Sequence, residues 1–181
     1  MTGRSHLLLT GAAYAALALH PIQTPLGTLA APSILPGAVT QLPGVLAGSL
    51  GAAFVGLLPD VDKSGSKAAR LGGWPTRVLA WFVQLFLGHR GALHSLPALL
   101  LVWWLGGQVG ALVGMPGLAG LLAFGWGAHL LLDAATAGGV PLLWPLPLKL
   151  RLPPGLPTGG LVEHAALLAL LTACAWWAGL V

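Results

Sequence analysis

Four acidic residues, Asp60, Asp62, Asp133 and Glu163, together with six histidines, hold most of the reactive chemistry available to this chain. His129 and Asp133 are four apart, so on a helix they face the same way and can either chelate one ion or bond each other. In Leu57-Leu58-Pro59-Asp60-Val61-Asp62 the proline marks a helix end. An extended turn there sets both carboxylates on one edge; the plain alternative is a pair of solvated aspartates beside Lys63 and Lys67. His94 stands before Ser95, a fitting N-cap, and Pro97, a first-turn proline. Glu163 follows Thr158-Gly159-Gly160, where a carboxylate also suits a helix dipole. His6 opens an apolar run, whereas His20 and His164 read as structural. Imidazole plus carboxylate is the ligand mixture of zinc, iron and manganese.

These groups are set in an apolar chain. Of 181 residues, 56% are hydrophobic and 7% charged, with a mean hydropathy of +0.87. A soluble domain carries roughly 25% charged residues, so the composition specifies an all-α integral membrane protein of one domain, residues 1–181. Five segments are expected to cross: Ser5–Leu19, Leu42–Leu58, Ser95–Gly114, Gly117–Ala135 and Leu161–Val181. Thr76–Gly88 is too short at ~1.5 Å per residue and suits an interfacial or oblique helix. The first twenty residues resemble a signal peptide ending at Ala16-Leu17-Ala18, but no polar region precedes that site, and the segment is taken as a span. In the second span Gly44, Gly48, Ala52 and Gly56 recur every four residues, a nearly bare face for close helix contact within the bundle or in a dimer. The single Cys174 excludes a disulfide framework.

Orientation follows from lysine and arginine. Arg4, Lys63, Lys67, Arg70, Arg77, Lys149 and Arg151 all fall on one side of a five-span topology, which the positive-inside rule makes cytoplasmic. The net charge of +4 is therefore spent in short loops and does not point to nucleic acid. On that topology all four acids, with His6, His89, His94 and His129, gather at the cytoplasmic face. Carboxylates near hydrocarbon cost ~2.5–3.5 kcal/mol on insertion scales, and a bound dication neutralises several at once.

The segments Leu57-Leu58-Pro59-Asp60-Val61-Asp62, His89-Arg90-Gly91-Ala92-Leu93-His94-Ser95, His129-Leu130-Leu131-Leu132-Asp133 and Gly138-Gly139-Val140-Pro141-Leu142-Leu143-Trp144-Pro145, followed by Glu163, form an ordered set. That set resembles the bacterial family of membrane-bound metal-dependent hydrolases, also described as LexA-regulated inner-membrane proteins. The resemblance runs from His6 to Glu163. It implies a helical inner-membrane protein in which Asp60, Asp62, His94, His129 and Asp133 match metal positions and His89-Arg90 lies around the site. Ala92 stands where threonine is expected, which bears on a hydroxyl role there and not on the metal.

The expected chemistry is hydrolysis with one or two divalent ions, zinc first and manganese, iron or magnesium as alternatives. The ligands expected are His6, Asp60, Asp62, His94, His129, Asp133 and Glu163. Glu163 or His89 is expected to shuttle a proton. Arg90, with Lys149 or Arg151, is expected to hold an anionic group. Arginine's fork suits phosphate, so a phosphoester is the expected substrate, and location at the interface brings a phospholipid or isoprenoid phosphate within reach. The rivals are a divalent-cation transporter, whose site ordinarily lies at the midplane, and a metal-binding scaffold.

Overall fold

A computed structural model describes residues 1–33, 42–62, 73–75, 78 and 91–180. Five apolar α-helices occupy the five expected segments: α1 (Gly3–Leu19), α2 (Leu42–Val55), α3 (Leu96–Val113), α4 (Leu118–Ala134) and α5 (Leu161–Trp177). Two have the length and apolarity to cross a membrane: Leu42–Val61, 20 residues including the turn that extends α2, and Leu96–Val113, 18 residues. The other three are 17 residues long, ~25 Å at the α-helical rise. Of the expected interfacial segment only Thr76–Gly88's Val78 is described, and His89 and Arg90 lie outside the described residues.

Local chemistry explains the helix ends. Thr2 caps α1, its side chain accepting from the Ser5 amide at 3.4 Å. Ser95 caps α3 as anticipated, its hydroxyl accepting from the Ala98 amide at 3.3 Å with Pro97 in the first turn. Gly114 ends α3 in the left-handed region, φ +70°. The connection after α1 contains a short hairpin, β1 (Ile22–Thr24) against β2 (Gly27–Leu29), antiparallel with Ile22 opposite Leu29. Pro25 sets its turn, and the Thr24 hydroxyl closes it on the Gly27 carbonyl at 2.6 Å.

The small-residue face of α2 is used inside the bundle. Gly48 lies against the Tyr14 ring, Ala52 is fully buried, and Gly56 lies against Thr10. On its other flank α2 meets α4, where Gly125 faces Val55 and the Ala52 carbonyl. Tyr14, Ala18, Val45, Ala52 and Leu121 make one core; Trp126, Leu130, Ala134 and Val140 make a second beside α3. Outside these cores the surface is apolar: Leu100, Trp103, Trp104 and Leu112 of α3 are all more than half exposed. No aqueous solvent suits such a belt, and lipid does.

The Pro59 segment differs from expectation. Leu58–Asp62 forms a 3₁₀ turn, not an extended one. The reason is the amide of Asp60, which bonds the Leu57 carbonyl at 3.2 Å and continues the helix path. The side chain of Asp62 lies outside the described residues.

Candidate metal centre

The helices alternate in direction, so one end of the bundle receives the start of α1, the turn after α2, the turn before α3, the end of α4 and the start of α5. His6 lies in the first turns of α1, and Asp60 lies in the 3₁₀ turn after α2. His94 closes a second 3₁₀ turn, Ala92–His94, that leads into Ser95. His129 and Asp133 stand on successive turns of α4. Four separate segments thus bring five side chains together.

The contacts are close. His94 Nε2 lies 3.2 Å from His129 Nε2. Asp60 Oδ1 is 3.7 Å from His94 Nε2 and 3.9 Å from His129 Nε2, while Asp133 Oδ2 is 3.7 and 3.8 Å from the same two atoms. His6 stacks on His129 with ring centroids 3.9 Å apart, and His6 Nε2 meets Asp133 Oδ1 at 3.2 Å. The α-amino group of Met1 donates to the same Oδ1 at 2.8 Å. Among the described residues, two candidate ligand trios overlap at His129: His6, Asp60 and His129, and His94, His129 and Asp133.

One bond sets the chemistry of His129. Its Nδ1–H donates to the Gly56 carbonyl at 2.7 Å. That fixes the tautomer, so Nε2 carries a lone pair and points toward His94, Asp60 and Asp133. The alternative expected for the His129/Asp133 pair, a direct intrahelical hydrogen bond, is not formed, since 3.8 Å exceeds hydrogen-bond reach. Trp126, one turn earlier, donates from Nε1 to the Leu93 carbonyl at 3.0 Å and so ties α4 to the His94 turn.

The donor set fits a small divalent ion. Ligands ~2.0–2.1 Å from zinc stand ~3.3–3.4 Å apart in a tetrahedron. The 3.2 Å nitrogen pair matches that edge, and the nitrogen–oxygen separations of 3.7–3.9 Å need only a small contraction. His6, His94, His129 and Asp133 are at most 1% exposed, whereas the Asp60 side chain is 18% exposed. The cluster is walled by protein on most sides and open at Asp60.

Glu163 stands apart from the trios. One carboxylate oxygen accepts from the Thr2 amide at 2.6 Å and from the Ser5 hydroxyl; the other accepts from the Gly159 amide at 2.6 Å. It serves the start of α1 as well as its own helix. The Gly138-Gly139 segment is an ordinary turn, its Gly139 amide bonded to the Thr136 carbonyl at 3.0 Å. Lys149 and Arg151 are exposed beside it, and Arg151 packs across Gly139. His20 lies at the opposite end, its carbonyl accepting from Trp177 Nε1, and His164 bonds its own helix start. Gly56, Thr2 and Ser5 were not singled out for these roles. A backbone carbonyl carries no residue-type signal, and Thr2 and Ser5 stand out only as a helix-capping pair.

The family described as "YdjM inner membrane protein" matches residues 1–181. The chain is 36% identical over 124 residues to "Inner membrane protein YdjM" of Escherichia coli (strain K12) and of Shigella flexneri, covering 66% of this chain and 61% of each relative. It thus spans about three fifths of the length of those relatives. It is also 31% identical over 121 residues to "Uncharacterized protein YvsG" of Bacillus subtilis (strain 168), covering 67% of this chain and 71% of that protein. No solved structure matches the chain.

Proposed function

The chain belongs to the YdjM inner membrane protein family, and from that premise we propose that it is a multi-pass metal-dependent hydrolase with its site at the cytoplasmic interface. His6, Asp60, His94, His129 and Asp133 would hold one or two divalent ions, zinc first. The observation that carries the reading is the convergence on His129 Nε2. Its lone pair is turned inward by the Gly56 bond, toward a second imidazole at 3.2 Å and a carboxylate at 3.9 Å.

A structural zinc site closes all its positions with protein, whereas a catalytic one keeps a side open. Asp60, partly exposed while its neighbours are sealed, gives this cluster such a side. A bound ion would supply the positive charge that makes water acidic near neutral pH and that draws electrons from an ester oxygen. The protein's own part is positional. Gly56 holds the His129 ring, and His6 stacks on that ring and meets Asp133. Asp60 stands at the partly exposed side of the cluster.

The substrate proposed is a phosphoester such as a phospholipid or an isoprenoid phosphate. The site lies at helix ends, where a headgroup travels, and Lys149 and Arg151 lie in the loop that follows α4. The same placement at one end of the bundle weighs against a cation transporter, whose site would sit near the midplane between half-helices. Metal analysis of the full chain in detergent, with His129→Ala and Asp60→Ala, tests the site. Hydrolysis of phosphate esters by the same samples tests the reaction. Unchanged metal content in both variants would end the metal reading. Metal-dependent flux in proteoliposomes without hydrolysis would favour the transporter.

A further inference from the structure

We infer that Glu163 is not a metal ligand but a positioning residue that clamps the start of α1 and thereby presents His6 to the metal centre. The inference rests on the metal-binding half of the proposed function and not on the reaction. Glu163 is 1% exposed, and its carboxylate is engaged by donors from two directions. The Thr2 amide and the Ser5 hydroxyl approach one oxygen, and the Gly159 amide approaches the other.

Those donors lead directly to the site. The Thr2 peptide is held at its N–H by Glu163 and at its carbonyl by the amide of His6, 3.1 Å away. Ser5, the residue before His6, is held through its hydroxyl and also bonds Thr2 Oγ1 at 3.0 Å. The turn that carries His6 is therefore fastened to α5 through one carboxylate. On the other side, Gly159 follows the segment 152–156, a turn that ends in the bridging residue Leu156. That segment bonds the end of α4 through Leu152 N to the Ala134 carbonyl and Leu156 N to the Ala135 carbonyl, both at 2.8 Å. Glu163 thus ties the segment bearing His6 to the loop bonded just beyond Asp133.

The charge has a physical basis. The Glu163 carboxylate sits at the N-terminal ends of both α1 and α5, where unpaired N–H groups and two helix dipoles favour an anion. Three donors on one carboxylate also make charge-assisted bonds. A neutral, shorter side chain keeps none of them. Outer partners of this kind ordinarily alter metal affinity by about 10–100-fold.

Zinc titration of the full chain in detergent tests this, with cobalt(II) spectra reporting the ligand set. Glu163→Ala is expected to weaken zinc binding about 10–100-fold and to shift the cobalt spectrum to that of His6→Ala. The double variant Glu163→Ala/His6→Ala should bind no more weakly than His6→Ala alone, because the clamp acts through that ligand. Glu163→Gln, which keeps an oxygen for Thr2 and Ser5, should retain most of the affinity. Should Glu163→Ala fail to fold, Ser5→Ala serves: a several-fold loss is expected in the wild-type background and none beside His6→Ala. Additive losses in the double variants, or a cobalt spectrum unlike that of His6→Ala, would overturn the inference. Wild-type protein that binds no metal would remove both this inference and the metal reading, whereas bound metal with additive losses removes this one alone.

Discussion

Replacing Gly125 by alanine adds a single methyl group whose effect reaches the candidate metal centre through the packing of α4 on α2. Gly125 lies on α4 one turn before His129, where α4 crosses α2. A Cβ built there meets Val55 Cβ and Cγ1 at 2.6 Å and the Ala52 carbonyl oxygen at 2.9 Å. Carbon atoms rest at about 3.5–4.0 Å, so the shortfall is about 1 Å. Neither obstacle is the far end of a flexible chain; one is backbone and the other a β-branched side chain fixed on a helix. The two helices must therefore part by roughly that distance. Overpacking of this kind ordinarily costs about 1–3 kcal/mol, which leaves a folded protein with a lower unfolding temperature. The consequence for the site is larger in proportion. α4 carries His129 and Asp133, while α2 leads into Asp60 and supplies the Gly56 carbonyl. Metal distances tolerate only about ±0.2 Å. A shift of about 1 Å between His129 and both Asp60 and Gly56 is expected to weaken zinc binding at least as much as losing an outer partner, about 10–100-fold. Isothermal titration of zinc into purified Gly125→Ala and wild-type protein, with thermal unfolding of both, measures the two effects. Wild-type zinc affinity in a variant that has lost stability would refute the argument that the α2–α4 contact sets the spacing of the site.

Asp60→Ala and His129→Ala should each lose bound metal, with His129→Ala the more severe because it belongs to both trios; elemental analysis of purified protein reads this. Chelator treatment should lower the unfolding temperature, and zinc at about one hundred times its dissociation constant should restore about 2.7 kcal/mol, seen as a concentration-dependent melting curve. Tyr14→Phe removes the hydroxyl that donates to the Pro32 carbonyl and should cost about 0.5–1.5 kcal/mol with zinc affinity unchanged, since Tyr14 lies two turns from His6. In a Cys174→Ala background, a cysteine at Thr28 should be labelled by an impermeant reagent from the periplasmic side, and one at Leu148, which is 60% exposed, from the cytoplasmic side only. The reverse pattern would invert the proposed orientation.

Much of this molecule is legible in one dimension because the properties concerned are local. An apolar run has a length, and five such runs became five helices at nearly the expected positions. Ser95 and Pro97 start α3 because capping involves only the next few amides. The four-residue spacing of small residues in α2 announced close packing, and Gly48, Ala52 and Gly56 deliver it against α1 and α4. That the few polar residues would gather was also legible, since acids in a membrane chain must be paired or placed near water. Other features depend on distances between segments far apart in sequence. That His129 donates to Gly56 and not to Asp133 is set by how closely α2 approaches α4. That Asp60 joins the cluster from a 3₁₀ turn depends on one backbone bond to Leu57. Glu163, the same kind of residue as the aspartates and at the same end of the bundle, fastens α1 instead, because the Thr2 and Gly159 amides reach it first. Residue type and period specify which groups can do chemistry; only the packed backbone decides which atoms come within 4 Å of one another.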